Sequence, residues 1–408
     1  MTDSTRRHLL KAVTSTAALA VLPAVAATSP QAEPALARSA PPPASTTFTS
    51  EFPVSRAEAP LDLINLIEIE TQASKVIAPG AFSYIAGGAG DEWTLRENRN
   101  AFNRQLIVPR ILSGKAAPDL RTHILGTAIA SPIIITPVAA HGLAHASAEA
   151  GTARGAAAVG TIMGVSTLST LDLEQVAAAA AGPKWFQLYM LQDVAYSAKL
   201  LRRARAAGYR AIVLTADTTV VGNREDSLRQ RFQFPLQAGN LLGDDPNMPI
   251  PAARRAFETR LDRKTIEFAI RESGLPVIVK GVSHPEDALM AIEAGAAAIQ
   301  VSNHGGRQLD GAPGAFSVLP AVAKAVNKRV PIIFDSGVRR GQDAFKAIAS
   351  GADVVAIGRP VIYGLALGGW QGVRSVLELI NRELGMTMQL AGVQTVAEIR
   401  ATALQSAV

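Results

Sequence analysis

Residues 298–311 read AIQVSNHGGRQLDG: a short apolar run, Ala298 to Val301, followed by a polar loop that carries His304, Gly305, Gly306 and Arg307. A run of this length bounded by turn residues predicts a buried strand. The loop after it holds a titratable ring, two glycines and a guanidinium group within six residues. A histidine at a strand end can act as a base. Gly305 and Gly306 let backbone approach a flat ligand, and Arg307 can clamp a carboxylate through two parallel hydrogen bonds. A Gly-rich turn with a solvated arginine would look the same in isolation, so the reading depends on whether the unit repeats.

From Pro132 onward it does repeat. Apolar runs stand at Ile133–Pro137, Thr161–Val165, Trp185–Tyr189, Ala211–Thr215, Val277–Val279, Ala298–Val301, Ile332–Phe334 and Val354–Ile357, with Ala-rich helical segments between most of them. Helix-stop pairs precede later strands at Ala207-Gly208, Ala294-Gly295 and Ser350-Gly351, as expected of a glycine just past a helix end. Strands alternating with helices at this spacing are parallel βα units, and eight of them close into a (β/α)8 TIM barrel.

Barrel enzymes place their chemistry at the carboxyl ends of the strands, and here those ends are polar. They carry Pro137, Val138, Ala139 and His141; Ser166; Gln187 and Tyr189; Thr215, Asp217 and Arg224; Lys280; His304 and Arg307; Asp335, Ser336, Gly337, Val338 and Arg339; and Gly358 with Arg359. Gly-rich turns with arginines after the seventh and eighth strands, opening onto helix amino termini, predict a phosphate site. The inventory holds one base (His304), one acid to orient it (Asp217) and two arginines for a carboxylate (Arg224, Arg307). His141 and His145 lie four apart, but no acid stands in register, so no metal site is expected. A phosphate site without a nucleotide-type glycine loop points to a phosphate-bearing cofactor.

Ahead of the barrel, Leu63, Leu66, Ile67 and Val76 fall at helical spacing, so a helix is expected over Leu61–Val76 as part of an N-terminal helical extension. Gly87-Gly88 and Gly90 then make a loop just after Tyr84 that could set its hydroxyl over a pocket. The 408 residues, 48% hydrophobic, carry a net charge of +6 with no basic block interleaved with aromatics, which sets nucleic acid aside. The absence of cysteine excludes thiolate catalysis and Cys-bound zinc. Thr5-Arg6-Arg7-His8-Leu9-Leu10-Lys11 before the Ala-rich run Ala12–Ala27 resembles a twin-arginine export signal, with cleavage options at Ala24-Val25-Ala26 or Ala35-Leu36-Ala37. The run is too short for a stable membrane anchor. The expected organisation is a signal over 1–37, a disordered Pro/Ala-rich linker over 38–60 and a catalytic domain over 61–408, exported to the periplasm or beyond.

From about Leu61 to Val396 the chain resembles the FMN-dependent L-2-hydroxy-acid oxidase family, most nearly its bacterial lactate-oxidising branch. The motifs are YIAGGAGDE (84–92), TPVAAHG (136–142), WFQLY (185–189), LTADTTVVGNRE (214–225), VKG (279–281), SNHGGRQLDG (302–311), FDSGVRRG (334–341) and GRPVIYG (358–364). The resemblance implies FMN as cofactor. It implies that Pro137, Val138, Ala139, Ser166, Gln187 and Thr215 hold the flavin ring and that Lys280 sits by its N1/O2 edge. It assigns Ser302, Asp335, Ser336, Gly337, Val338, Arg339, Gly358 and Arg359 to the rest of the cofactor, its phosphate above all. Tyr84, Tyr189, Arg224 and Arg307 would bind the substrate, with Tyr189 and Arg307 also aiding catalysis. His304 would take the C2 hydroxyl proton while a hydride passes to flavin N5, with Asp217 stabilising the imidazolium. Dioxygen as acceptor and a homotetramer are implied as well. Alternatives within the resemblance are a dehydrogenase serving a quinone or periplasmic carrier and a lactate 2-monooxygenase. The connection from Phe234 to Leu261, the family's active-site lid after strand 4, contains no tyrosine here, a departure that bears on side-chain preference. It is also short and Pro-rich, which favours oxygen over a quinone.

Overall fold

The computed structural model describes residues 53–241 and 255–407. The export signal, most of the linker and the middle of the lid lie outside these residues. Eight parallel strands form a closed barrel: β1 (Ile133–Val138), β2 (Met163–Ser166), β3 (Lys184–Leu188), β4 (Ala211–Thr215), β5 (Val277–Val282), β6 (Ala298–Val301), β7 (Ile332–Phe334) and β8 (Val354–Ile357). Each pairs with its sequence neighbour, and β8 returns to β1 through Val355↔Ile133 and Ile357↔Ile135. All eight expected strands are present, four with the expected ends and four with ends moved by one to three residues. The expected helix stops also hold, with Gly208, Gly295 and Gly351 all at positive φ.

Strand parity explains how one sequence builds both a core and a site. In β6, Ile299 and Val301 join the apolar layer under the helices, while Ala298 belongs to a second cluster with Ile134, Trp185, Val213, Ile278 and Ile333 inside the barrel. Side chains alternate along a strand, so the residue two positions further on shares a face with it. Two positions beyond Ile134, Trp185, Val213, Ile278 and Ala298 stand Thr136, Gln187, Thr215, Lys280 and Gln300. The barrel interior is therefore greasy below and polar above, and the polar layer lies at the carboxyl ends. Burying such groups is costly unless each finds a partner. A hairpin, Thr122–Ile124 with Thr127–Ile129, contributes Ile124 and Ile129 to the inner apolar cluster.

Two regions differ from expectation. The helix expected over Leu61–Val76 spans only Ile69–Ala73. The Asn65 side chain accepts from Ile67 N and Glu68 N at 2.8 and 2.9 Å, which starts the turn late, and Leu61 N is drawn to Ser375 Oγ at 3.0 Å. The last residues of the expected linker are fastened to the barrel: Ser55 bridges to His145, Ala57 O meets His145 Nε2 at 3.1 Å, and Ala59 N donates to Gly368 O at 3.3 Å. That contact fits a kink at Gly368-Gly369 in the helix Arg359–Ala391. No helix among the described residues is long and apolar enough to cross a membrane.

Candidate active site

At the carboxyl end of β6 the chain turns sharply, with φ of +58° at His304, +66° at Gly305 and +76° at Gly306. Gly306 is glycine for a reason the sequence did not reveal: a Cβ there would fall 2.7 Å from the Leu95 backbone. The close approach is by the helix Trp93–Asn103, not by a ligand.

The turn aims His304 Nδ1 at Asp217 Oδ1, 2.9 Å away. Burial first, and the nearby Lys280 second, lower the His304 pKa to about 4, against the pull of Asp217. The imidazole is therefore neutral at neutral pH. Donation from Nδ1–H to Asp217 leaves Nε2 as the basic lone pair. Burial works against the Asp217 carboxylate, but His304, Lys280 and hydrogen bonds from His304 and Thr218 hold its pKa below the usual range. Burial likewise opposes the Lys280 ammonium, yet Asp217 and Asp335 raise its pKa above the ordinary value. A neutral base under the influence of a fixed anion and a fixed cation is a poised proton acceptor.

His304, Lys280, Tyr84, Tyr189, Arg224 and Arg307 line one cleft of about 1060 Å³, open solvent included, together with Pro137, Val138, Ala139 and Ser166. Tyr84 comes from the helix Pro79–Ala86, and the glycine loop expected just after it begins at Gly87. Arg307 and Arg224 lie over its ring at 5.0 and 5.9 Å. Arg307 Nη1 also donates to Tyr84 O at 2.7 Å and Gly87 O at 2.8 Å, so this arginine braces the helix end as well as facing the cleft. Burial raises the Tyr189 pKa. Its ring stacks on Phe257 at 4.6 Å, a cleft-lining residue that the sequence reading missed. Phe232 stacks on Tyr84 at 5.9 Å and Phe234 meets it edge-on at 4.9 Å. Their only sequence signal was Phe234 and Phe257 within the tyrosine-free segment Phe234–Leu261, with Phe232 just ahead of it.

The far end of the cleft holds Asp335, Ser336, Gly337, Val338, Arg339, Gly358 and Arg359. The Asp335 carboxylate is a hub, accepting from Ser302 Oγ at 2.7 Å, Ser336 Oγ at 2.8 Å and Gln300 Nε2 at 2.5 Å. An anion so engaged organises the loop and does not itself grip a phosphate. Ser302 is fully buried behind it and also accepts from His304 N at 3.1 Å, so it supports the base loop and does not line the cleft. Arg359 donates to Ile85 O, Gly305 O and Gly87 O at 3.0–3.1 Å. Arg339 approaches Glu70 at 4.0 Å. Burial lowers the pKa of both guanidinium groups, so an anion beside them would favour their charged forms. Gln187 and Thr215 are buried, as their parity requires. His141 and His145 turn to Thr152 Oγ1 at 2.9 Å and Ser147 Oγ at 2.8 Å.

Residues 73–406 match the family model of FMN-dependent dehydrogenases. The chain belongs to that family. It is 49% identical over 348 residues to an L-lactate oxidase of Lentilactobacillus hilgardii, covering 84% of this chain and 94% of the relative. A glycolate oxidase of Spinacia oleracea is 42% identical, covering 83% and 95%. A solved structure from Pediococcus acidilactici, assigned as a lactate oxidase, superposes with a TM-score of 0.84 at 48% identity, covering 87% of this chain and 98% of that one.

As a member of the FMN-dependent dehydrogenases the chain is a flavoprotein oxidoreductase, and its residues fit FMN. Gln187 Oε1 accepts from Ser166 Oγ and Thr167 N at 3.0 and 3.2 Å, which fixes the amide orientation. Its Nε2 is then buried with no acceptor among the described residues, a donor that a ring bearing carbonyl and imine acceptors would satisfy. Lys280 would offer a fixed cation to the same ring. Arg339 and Arg359, with the backbone of Gly337 and Gly358, offer the phosphate end.

Proposed function

We propose that this chain oxidises an L-2-hydroxy acid, with L-lactate the expected substrate, to the 2-oxo acid, using dioxygen and yielding hydrogen peroxide. The observation that carries the reading is the neutral His304, held 2.9 Å from Asp217, on the same cleft as Arg224 and Arg307. FMN, when bound, supplies the hydride acceptor for the substrate's C2 hydrogen and the route of the electron pair to oxygen. The protein's own work is positioning and proton transfer. Arg307 and Arg224 hold the substrate carboxylate, and the Tyr84 and Tyr189 hydroxyls bind its polar groups. His304 Nε2 removes the C2 hydroxyl proton, and the charge so formed is stabilised by Asp217. Lys280 keeps a positive charge beside the cofactor, favouring its electron-rich state.

The test is anaerobic reduction of the bound flavin by a panel of L-2-hydroxy acids, followed by product analysis after air is admitted. Bleaching by L-lactate, then pyruvate and peroxide in equal amounts, is expected. Acetate with carbon dioxide would indicate a monooxygenase, and dye reduction without oxygen uptake would indicate a dehydrogenase serving another acceptor. From Arg6-Arg7 and the Ala-rich run after them we also infer export by the twin-arginine route. Replacing both arginines with lysine should retain the protein in the cytoplasm. Assembly as a homotetramer is proposed with it and is read by sedimentation.

A further inference from the structure

The loop that carries His304 is closed by two side-chain amides from distant parts of the chain. Asn98 Nδ2 donates to Asn303 Oδ1 at 2.8 Å, and Asn303 Nδ2 donates back to Asn98 Oδ1 at 2.7 Å. Each oxygen also takes a backbone hydrogen: Ala315 N donates to Asn98 Oδ1 at 3.0 Å and Gly306 N to Asn303 Oδ1 at 3.1 Å. Asn98 is 1% exposed. Because Asn303 precedes the imidazole, Gly306 follows it and Ala315 opens the next helix, the amide pair grips the loop on both sides of His304.

The loop needs that grip. Its φ of +58° at His304 lies where L side chains persist only under constraint from their surroundings. The same helix also reaches the phosphate end. A Cβ on Gly337 would lie 2.2 Å from Asn98 O, and Arg99 Nη1 donates to Gly337 O at 2.6 Å and to Asp343 Oδ2 at 2.9 Å. Two adjacent residues of one helix thus fix the base loop and the phosphate loop together.

We propose that Asn98 is a positioning residue for proton transfer: through Asn303 it holds the His304 ring against Asp217, while its own backbone and Arg99 set the loop of Gly337. The proposal rests on the reading of His304 as the base. The charged groups that act on the ring are Lys280, Asp217 and Arg224. Release of the amide lock lets the ring move out of that buried setting toward solvent.

The test uses the FMN-loaded enzyme with Asn98→Asp and Asn98→Ser. The aspartate keeps the acceptor for Ala315 N but cannot donate to Asn303. The serine removes both amide bonds without adding charge, so any shift it causes is not electrostatic. The His304 ring is titrated by NMR with labelled histidine, its signal assigned by loss in His304→Asn, and flavin reduction is followed anaerobically in parallel. In both variants the titration midpoint should rise by about one unit or more toward the free imidazole value. The limiting reduction rate should fall about 10- to 100-fold, as expected for a misplaced base, while FMN survives dialysis. An unmoved midpoint in both variants overturns the proposal. So does loss of FMN from both, which would put Asn98 in the cofactor cradle instead of behind the base. A moved midpoint with an unchanged reduction rate would show that Asn98 holds the ring but overturn its role in proton transfer, and with it the reading of His304 as the base.

Discussion

The two ends of the cleft handle charge in opposite ways. At the His304 end the protein completes its own electrostatics: Lys280 and Asp217 both act on the imidazole, and each holds the other ionised. At the far end Arg339 and Arg359 are half-buried and lean on backbone carbonyls, and the carboxylate nearest Arg339 among its ion pairs, Glu70, stands at 4.0 Å. The first end carries its own counter-charge, whereas the second concentrates positive charge that an anion such as a phosphate would balance. Chemistry and cofactor retention should therefore be separable by mutation.

The largest effect expected is for His304→Ala, with a fall in anaerobic flavin reduction of about 10³- to 10⁴-fold and FMN content unchanged after dialysis. Loss of flavin from this variant would break the division between the ends. Asp217→Asn should cost about 100-fold in the same step. Its sign with pH is specific. Asp217 raises the His304 pKa, so its removal should shift the acid limb of kcat/KM to still lower pH while the plateau falls; a limb moving upward would refute the assignment. In the unaltered enzyme that limb should lie near pH 4, where His304 protonates. Arg359→Met should act at the other end, weakening FMN about 10- to 100-fold by dialysis or fluorescence titration, the worth of a buried charged hydrogen bond, with little change in reduction once flavin is saturating. Inorganic phosphate should raise the apoprotein's Tm by about 2–4 °C, and Arg339→Met should abolish the rise. The smallest effect belongs to Phe257→Ala, which should raise KM for L-lactate about 3- to 10-fold through lost packing on Tyr189.

How much of this the sequence discloses follows from distance along the chain. The strands and their polar ends were legible because parity is a local property: Ala298 and Gln300 share a face whatever the rest of the chain does. His304 with Asp217, and the arginines after β7 and β8, followed once eight strands were counted. What could not be read depends on partners remote in sequence. Gly306 is required by Leu95, Asp335 is saturated by Ser302 and Gln300, and Phe257 matters because it lands on Tyr189. The helix expected over Leu61–Val76 was a failure of another kind. Its apolar spacing was real, but Asn65 offered the backbone a competing turn.

The stretch from Ser55 to Ala59 has a practical consequence for anyone shortening this chain. A version beginning at residue 61 would strip the Ala57 carbonyl from His145 and the Ala59 and Glu58 contacts from the break at Gly368-Gly369. An uncovered buried polar group of that sort costs about 1–3 kcal/mol. A trimmed recombinant protein should retain everything from residue 53 onward, even though the first strand of the barrel lies some way downstream.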